Sequence, residues 1–328
     1  MKRDSRKEQQ QALQGSIKAV TRIERRGKPK IGKAEFLSVA ERFGLSRKAL
    51  KAIGAILDEE DWGEGPFLAN YYANLKETKV QALERIAREI FGVRHALGVS
   101  SGTAALHSAM VGVGVGPGTE VICPAIGFFA TAAAVVAAKG VPVFCDVDES
   151  LHMDPRKIEA LITDRTVAIA PTHVAGGVCD MDPIMRIARK HKLRVIEDCA
   201  QSCGAKYKGK YVGTIGDVGC FSISAYKIVG GGEGGLILTN NQRIWERSAN
   251  LSECGGLWRP ERFAAPRYKG ELFCGTNYRM SELEAAVDIP QLRKMSQTVN
   301  RFRQVKRRIL SRLKTFKGIT PQRLNDKD

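Results

Sequence analysis

From about residue 80 the chain alternates two patterns. Short apolar, β-branched runs ("HALGVS", "EVICP", "VPVFCDV", "VAIAP", "LRVIED", "GCFSIS" and "GLILTN") are separated by segments with apolar residues at helical spacing. Such interleaving predicts βα units around a mainly parallel sheet, an α/β architecture with flanking helices. Two helix starts carry their own signal: "MDPRKIEALI" and "MDPIMRIARKHK" place Asp154 and Asp182 before proline, a capping side chain followed by a residue suited to the first helical position. The second ends in Arg189, Lys190 and Lys192, which complement the negative end of a helix dipole. Upstream, "GKAEFLSVAERFGLSRKALKAIGAILDEEDW" predicts one or two amphipathic helices with a break near Gly44. Downstream, the pattern weakens to Gly275, resumes as a helix near Ser281, and continues as a basic helical segment from Gln291 to about Leu313. The expected organisation is a basic, disordered tail (1–33), a helical segment (34–79), a large α/β domain (80–290), and a basic helix opening a small C-terminal domain (291–328).

Composition changes this picture in one respect. The 328-residue chain is 43% hydrophobic and carries a net charge of +17, which could signal nucleic acid or an anionic membrane. The charge is not spread evenly. Residues 1–33 hold 11 basic and 3 acidic side chains, residues 291–328 hold 12 and 2, and the span between them nets −1. Basic ends on a neutral body, without an aromatic-interleaved recognition motif, are read as solvated faces, so no nucleic-acid partner is expected. Eight scattered cysteines without a Cys-x-x-Cys pair are read as buried reduced thiols of a cytoplasmic protein, and five dispersed histidines give no expectation of a metal. The start has no apolar core of a secretory signal, and "FFATAAAVVAAKG" falls short of the roughly 20 apolar residues of a spanning helix.

Four features fall just beyond strand ends, where open α/β sheets place ligands. "SSGTAALHSAM" ends a strand in Ser101, Gly102 and Thr103 and starts a helix at once, which makes either an anion site or an ordinary N-cap. "RVIEDCAQS" ends a strand in Glu197 and Asp198, with Gln201 following; the carboxylates could bind a ribose, a metal or a protonated ring nitrogen, or simply cap the next segment. In "PAIGFFATAAA", Phe128 could cover a planar cofactor or belong to the core. The fourth, "CFSISAYKIVGGGEGGLILTN", resembles a phosphate loop only superficially. Lys227 precedes the glycines, and a strand follows them, which is neither the P-loop nor the Rossmann order. What remains is a lysine between two strands beside a tight turn, either a solvated charge or a nucleophile toward an aldehyde.

Together, and in order, "SGTAAL", "PAIGFFATA", "HVAGGVCDMDPI", "VIEDCAQSCGAKYKGKYVGTIGDVGCFS", Lys227 with "GEGG", and "GTNYRMSELEAA" resemble the DegT/DnrJ/StrS family of pyridoxal-phosphate-dependent sugar aminotransferases, of fold type I. The resemblance implies a mainly parallel seven-stranded sheet, pyridoxal 5'-phosphate as cofactor, and amino transfer from glutamate or glutamine to a keto sugar, usually nucleotide-linked, by a ping-pong aldimine/ketimine route. It implies that Lys227 forms the internal aldimine, that Asp198 pairs with the pyridine nitrogen, and that Gln201 lies near the phenolic oxygen. Gly102, Thr103 and Ser222 would hold the phosphate and Phe128 would stack on the ring. Asn277 would reach a neighbouring subunit's phosphate, so a homodimer with shared active sites is expected. Ile223 and Ser224 depart from the aromatic and histidine common there, which makes them the place where the acceptor is read. That departure also leaves a keto-cyclitol as an alternative acceptor. The chain ends soon after its basic helix, so the small C-terminal domain is expected to be truncated or missing. A non-catalytic regulatory homologue that binds the cofactor is the second reading, against which stand Lys227, Asp198 and Gln201. A sugar dehydratase on the same scaffold would have replaced the lysine with histidine.

Overall fold

The computed structural model describes residues 31–60, 62, 68, 77–256, 258–259, 264–313 and 315–326. The expected N-terminal tail lies, up to residue 30, outside them. Two compact units are present, Met1–Ala73 and Asn74–Asp328.

In the first unit, α1 (Lys33–Glu41) and α2 (Arg47–Asp58) are separated by a turn in which Gly44 takes φ +76°, so the expected break is real. Ser46 caps α2 through the Ala49 amide, and Lys33 reaches Asp58 at 2.7 Å. Gly54 lets the two helices approach, since a Cβ there would stand 3.3 Å from the Lys33 side chain.

The second unit begins with α3 (Lys79–Phe91), closed at one end by the reciprocal Thr78–Gln81 cap and at the other by Gly92 in the left-handed region. The α/β body follows: β1 (His95–Val99), α4 (Gly102–Val113), β2 (Glu120–Pro124), α5 (Ala130–Ala137), β3 (Val141–Cys145), α6 (Pro155–Ile158), β4 (Thr166–Ile169), α7 (Met181–His191) and β5 (Arg194–Asp198). A small antiparallel pair, β6 (Lys206–Tyr207) and β7 (Lys210–Tyr211), precedes β8 (Val218–Ser222), β9 (Gly235–Thr239), α8 (Gln242–Ser252), α9 (Glu282–Arg293) and α10 (Met295–Leu313).

All seven apolar runs are strands of one sheet, ordered β1-β9-β8-β5-β4-β2-β3. Every pair from β8 to β3 is parallel, and β9 alone runs against both of its neighbours. Alternate strand residues feed two cores. Ile122, Val195, Leu236 and Leu238 face one, while Val121, Ile196 and Ile237 face the other. A strand covered on both faces has no polar side to show, which is why these runs lack alternation, the edge strand β3 with its exposed Val141 and Phe144 excepted.

Asp154 caps α6 as expected, through the Arg156 amide. Asp182 does not cap α7. That helix starts two residues earlier, at Met181 after Asp180, and the Asp182 carboxylate pairs with Lys208 instead. The cysteines also split. Six are buried, and burial pushes the Cys123 and Cys203 thiols up to about 12, but Cys254 and Cys274 are exposed. Among the described residues no helix is long and apolar enough to cross a membrane.

Candidate active site

The carboxyl ends of β1, β5 and β8 bring the expected residues to one end of the sheet. Ser101 caps α4, and its hydroxyl and carbonyl accept from the amides of Ala104 and Ala105, each at 3.0 Å. The next two helix-start amides, of Gly102 and Thr103, are therefore left without an intrahelical acceptor. Gly102 lies against Ser222 at the end of β8, where a Cβ would stand 2.7 Å from the serine Cβ. Two free amides at the positive end of a helix dipole, beside a hydroxyl, form an anion cradle of the kind that suits a phosphate.

Asp198 ends β5 and is 2% exposed. Its carboxylate accepts from Thr131 Oγ1 at 2.6 Å and from the Ala200 amide at 3.1 Å. Burial pushes this carboxyl up from its ordinary value, and the Thr131 and Ala200 hydrogen bonds and the Lys227 charge pull it back down. A carboxylate in that balance favours a further positive partner, such as a protonated ring nitrogen. Thr131 is the one hydroxyl in the first turn of an otherwise apolar helix, "ATAAAVVA". That polar outlier was the signal by which the sequence could have disclosed it.

Glu197, the other carboxylate of the pair, faces the opposite core because strand neighbours alternate. It is fully buried and accepts from the amides of Gly213 at 2.8 Å, Ile215 at 2.8 Å and Gly216 at 2.7 Å. The Cys179 amide donates to His173 Nδ1 at 3.0 Å, so the ring carries its proton on Nε2, which donates to Glu197 at 3.1 Å. Glu197 therefore holds the loop ahead of β8 and is not a ligand-facing group. His173, Glu197 and Cys199 also bring potential metal-ligand atoms within 4.8 Å of one another, but the Glu197 oxygens and His173 Nδ1 already accept these hydrogen bonds.

Lys227 is half-buried in the turn after β8, its amide donating to Ser224 O at 2.9 Å. With Gln201 it lines a cavity of about 880 Å³ whose opposite wall includes Phe302, Lys306 and Arg307 of α10. Gln201 is itself pinned, accepting from the Ala175 amide at 3.0 Å. Phe128 is not core: it is 58% exposed, with its ring 4.5 Å from that of Phe129. Asn277 is exposed and accepts from the Arg279 amide at 3.2 Å, beside Tyr278, whose carbonyl takes the Ser100 amide at 2.8 Å. Ile223 is fully buried against Gly234, so it cannot read an acceptor, whereas Ser224 stands 3.4 Å from the Ser222 hydroxyl.

The glycines after Lys227 have a steric cause. A Cβ at Gly230 would stand 2.6 Å from Ser224 O, and one at Gly231 would stand 2.5 Å from an Asp288 carboxylate oxygen. The segment is compressed between the lysine turn and α9, where no side chain fits. An anion cradle, a buried carboxylate and a half-buried lysine at strand ends on one side of the sheet fit a planar aldehyde cofactor bearing a phosphate, as pyridoxal phosphate does.

Comparison with known proteins agrees with that fit. A profile of the DegT/DnrJ/EryC1/StrS aminotransferase family matches residues 69–328. GDP-perosamine synthase of Caulobacter vibrioides is 41% identical over 215 residues, 65% of this chain and 56% of the relative. L-glutamine:2-deoxy-scyllo-inosose aminotransferase of Streptoalloteichus tenebrarius is 36% identical over 287 residues, 84% of this chain and 65% of the relative. The crystal structure of 3-amino-5-hydroxybenzoic acid synthase superposes with a TM-score of 0.68 at 33% identity, over 75% of this chain and 63% of that one. The chain thus spans less than two thirds of the length of these relatives.

Proposed function

For a chain that belongs to the DegT/DnrJ/EryC1/StrS aminotransferase family, we propose a pyridoxal-phosphate-dependent aminotransferase that moves an amino group from glutamate or glutamine to a keto sugar, nucleotide-linked as in GDP-perosamine synthase. The observation that carries this reading is the convergence of the Gly102 and Thr103 amides, Ser222, Asp198 and Lys227 at the ends of three strands. When bound, the cofactor supplies an electron sink for the carbanion formed at the amino-bearing carbon.

The chain's own residues do the rest. Gly102, Thr103 and Ser222 hold the phosphate by hydrogen bonds, and Phe128 covers a face of the ring. Asp198 stays ionised opposite the ring nitrogen and keeps that nitrogen protonated, with Thr131 holding the carboxylate in place. Lys227 would hold the cofactor covalently, and its amine would serve as the base and then the acid that carries the proton during transfer. Gln201 lies near the phenolic oxygen. Exposed Asn277 reaches the phosphate of a second copy, which makes the working unit a homodimer, and the setting is cytoplasmic. The inosose aminotransferase matches more of this chain than the perosamine synthase does, which favours a keto-cyclitol as the second acceptor to assay.

The test is direct. The purified chain loaded with pyridoxal phosphate is given glutamate or glutamine, and its absorption band is expected to convert to that of the aminated cofactor. A band that persists with both donors would sink the transaminase reading in favour of a regulatory, cofactor-binding protein. Lys227→Ala is expected to abolish both the lysine-bound band and transfer, and unchanged transfer would refute the assigned role.

A further inference from the structure

Against the glycine segment, α9 presents Glu284 and Asp288 one turn apart on the same face. Asp288 is completely buried, and neither of its carboxylate oxygens, nor Oε1 of Glu284, has a donor among the described residues. The two carboxyls converge on one point, since a Cβ on Gly231 would stand 2.5 Å from Asp288 Oδ1 and 3.0 Å from Glu284 Oε1. Gly232 presses as well: a Cβ there would stand 2.8 Å from Glu284 Oε2. The glycine segment is tied in turn to the lysine turn, with Ala225 N donating to Gly232 O at 2.8 Å and Gly231 N to Ile223 O at 3.2 Å.

Asp288 is fully buried beside half-buried Glu284, and two ionised carboxylates do not sit together there without a cation or a proton between them. Among the described residues, Glu233 adds a further negative charge beside the pair. Across on α3, the amides of Lys79 and Val80 are taken by Glu282, and Glu84 is occupied by the Gly98 amide.

We propose that Glu284 and Asp288 share one proton and, as a carboxyl–carboxylate pair, act as positioning residues that clamp the glycine segment and so hold the turn carrying Lys227. Loss of the shared proton puts two negative charges against the segment and loosens the turn. Burial and the Glu284 charge push the Asp288 carboxyl up to about 8, which places that loss at mildly alkaline pH. The proposal rests on Lys227 as the cofactor lysine only for its catalytic consequence, because the clamp itself is a matter of stability.

The experiment compares the full chain with Asp288→Asn, and with Glu284→Gln as a second variant should the first fold poorly. Thermal midpoints are measured from pH 6 to pH 9 in sodium, potassium and choline salts. The wild type is expected to lose roughly 4 °C more than either variant over that range, on the usual scale of midpoint shifts, and equally in all three salts. Parallel curves for wild type and variants would overturn the proposal. So would a wild-type midpoint that rises with sodium or potassium but not with choline, since the pair would then hold a metal cation. In the same samples loaded with pyridoxal phosphate, cofactor dissociation is expected to rise about tenfold more with pH in the wild type than in Asp288→Asn. If the midpoints diverge while cofactor affinity follows one curve, the clamp stands and its link to Lys227 fails. A chain that never forms the lysine-bound band at any pH instead removes the reading of the site.

Discussion

At the scale of single residues, the site works by leaving chosen groups unfinished. Ser101 consumes the amides of Ala104 and Ala105, and those of Gly102 and Thr103 stay available. Asp198 is held by Thr131 and Ala200 but kept in a burial that favours its neutral form. Thr131→Val keeps the shape of the side chain and removes the hydroxyl. The Asp198 carboxyl is then expected to rise further, and cofactor affinity to fall by about tenfold, the worth of one charge-assisted hydrogen bond of roughly 1.5 kcal/mol. Titration of pyridoxal phosphate into the variant measures this, and an unchanged dissociation constant would remove Thr131 from the site.

At the scale of elements, helix ends decide where the pieces meet. The Glu282 carboxylate on α9 accepts from the first amides of α3, Lys79 at 2.7 Å and Val80 at 3.3 Å, joining segments about two hundred residues apart in sequence. Glu282→Ala is expected to cost about 1–2 kcal/mol of stability, on the scale of a lost cap, and chemical denaturation reads it. A smaller loss would mean that Thr78 and Gln81 suffice. The same scale shows what could be foreseen. Most of the seven strands were legible because a strand buried on both faces has to be apolar, whereas Lys227 and Asp198 were visible only as groups near strand ends, and their roles, like Ser222 altogether, came from the family resemblance. Thr131, His173 and the Glu284–Asp288 pair were not legible, since their partners come from distant elements and neither periodicity nor spacing encodes them. Asp182 misled for a local reason: two aspartates flank Met181, and Lys208, far away in sequence, engages the second.

At the scale of the whole molecule, titration bounds stability on both sides. His152 is buried and accepts from the Val174 amide at 3.1 Å, which requires a neutral ring, and burial lowers it to about 4. The unfolded chain binds that proton near pH 6.5 and the folded chain does not, so this contribution is lost as pH falls from about 6.5 to about 4. Asp288 acts in the opposite sense. Its folded form keeps a proton that the unfolded form releases near 3.9, so stability declines as pH rises from there to about 8. His152→Gln is expected to flatten the acid limb of a plot of denaturation midpoint against pH while leaving the alkaline limb unchanged. An acid limb of the same slope would place the cause elsewhere.

The reversed strand β9 has a consequence for assembly. Because Ser222 pairs directly with Gly235, β8, the lysine turn and β9 make one hairpin whose loop is residues 223–234, a closure that costs little chain entropy. The Gly102 cradle and Asp198 reach the same place only after long crossovers. The lysine turn can therefore close before Gly102 and Asp198 arrive, and under the proposed function the hold on a cofactor would be completed by the slow, long-range part of folding.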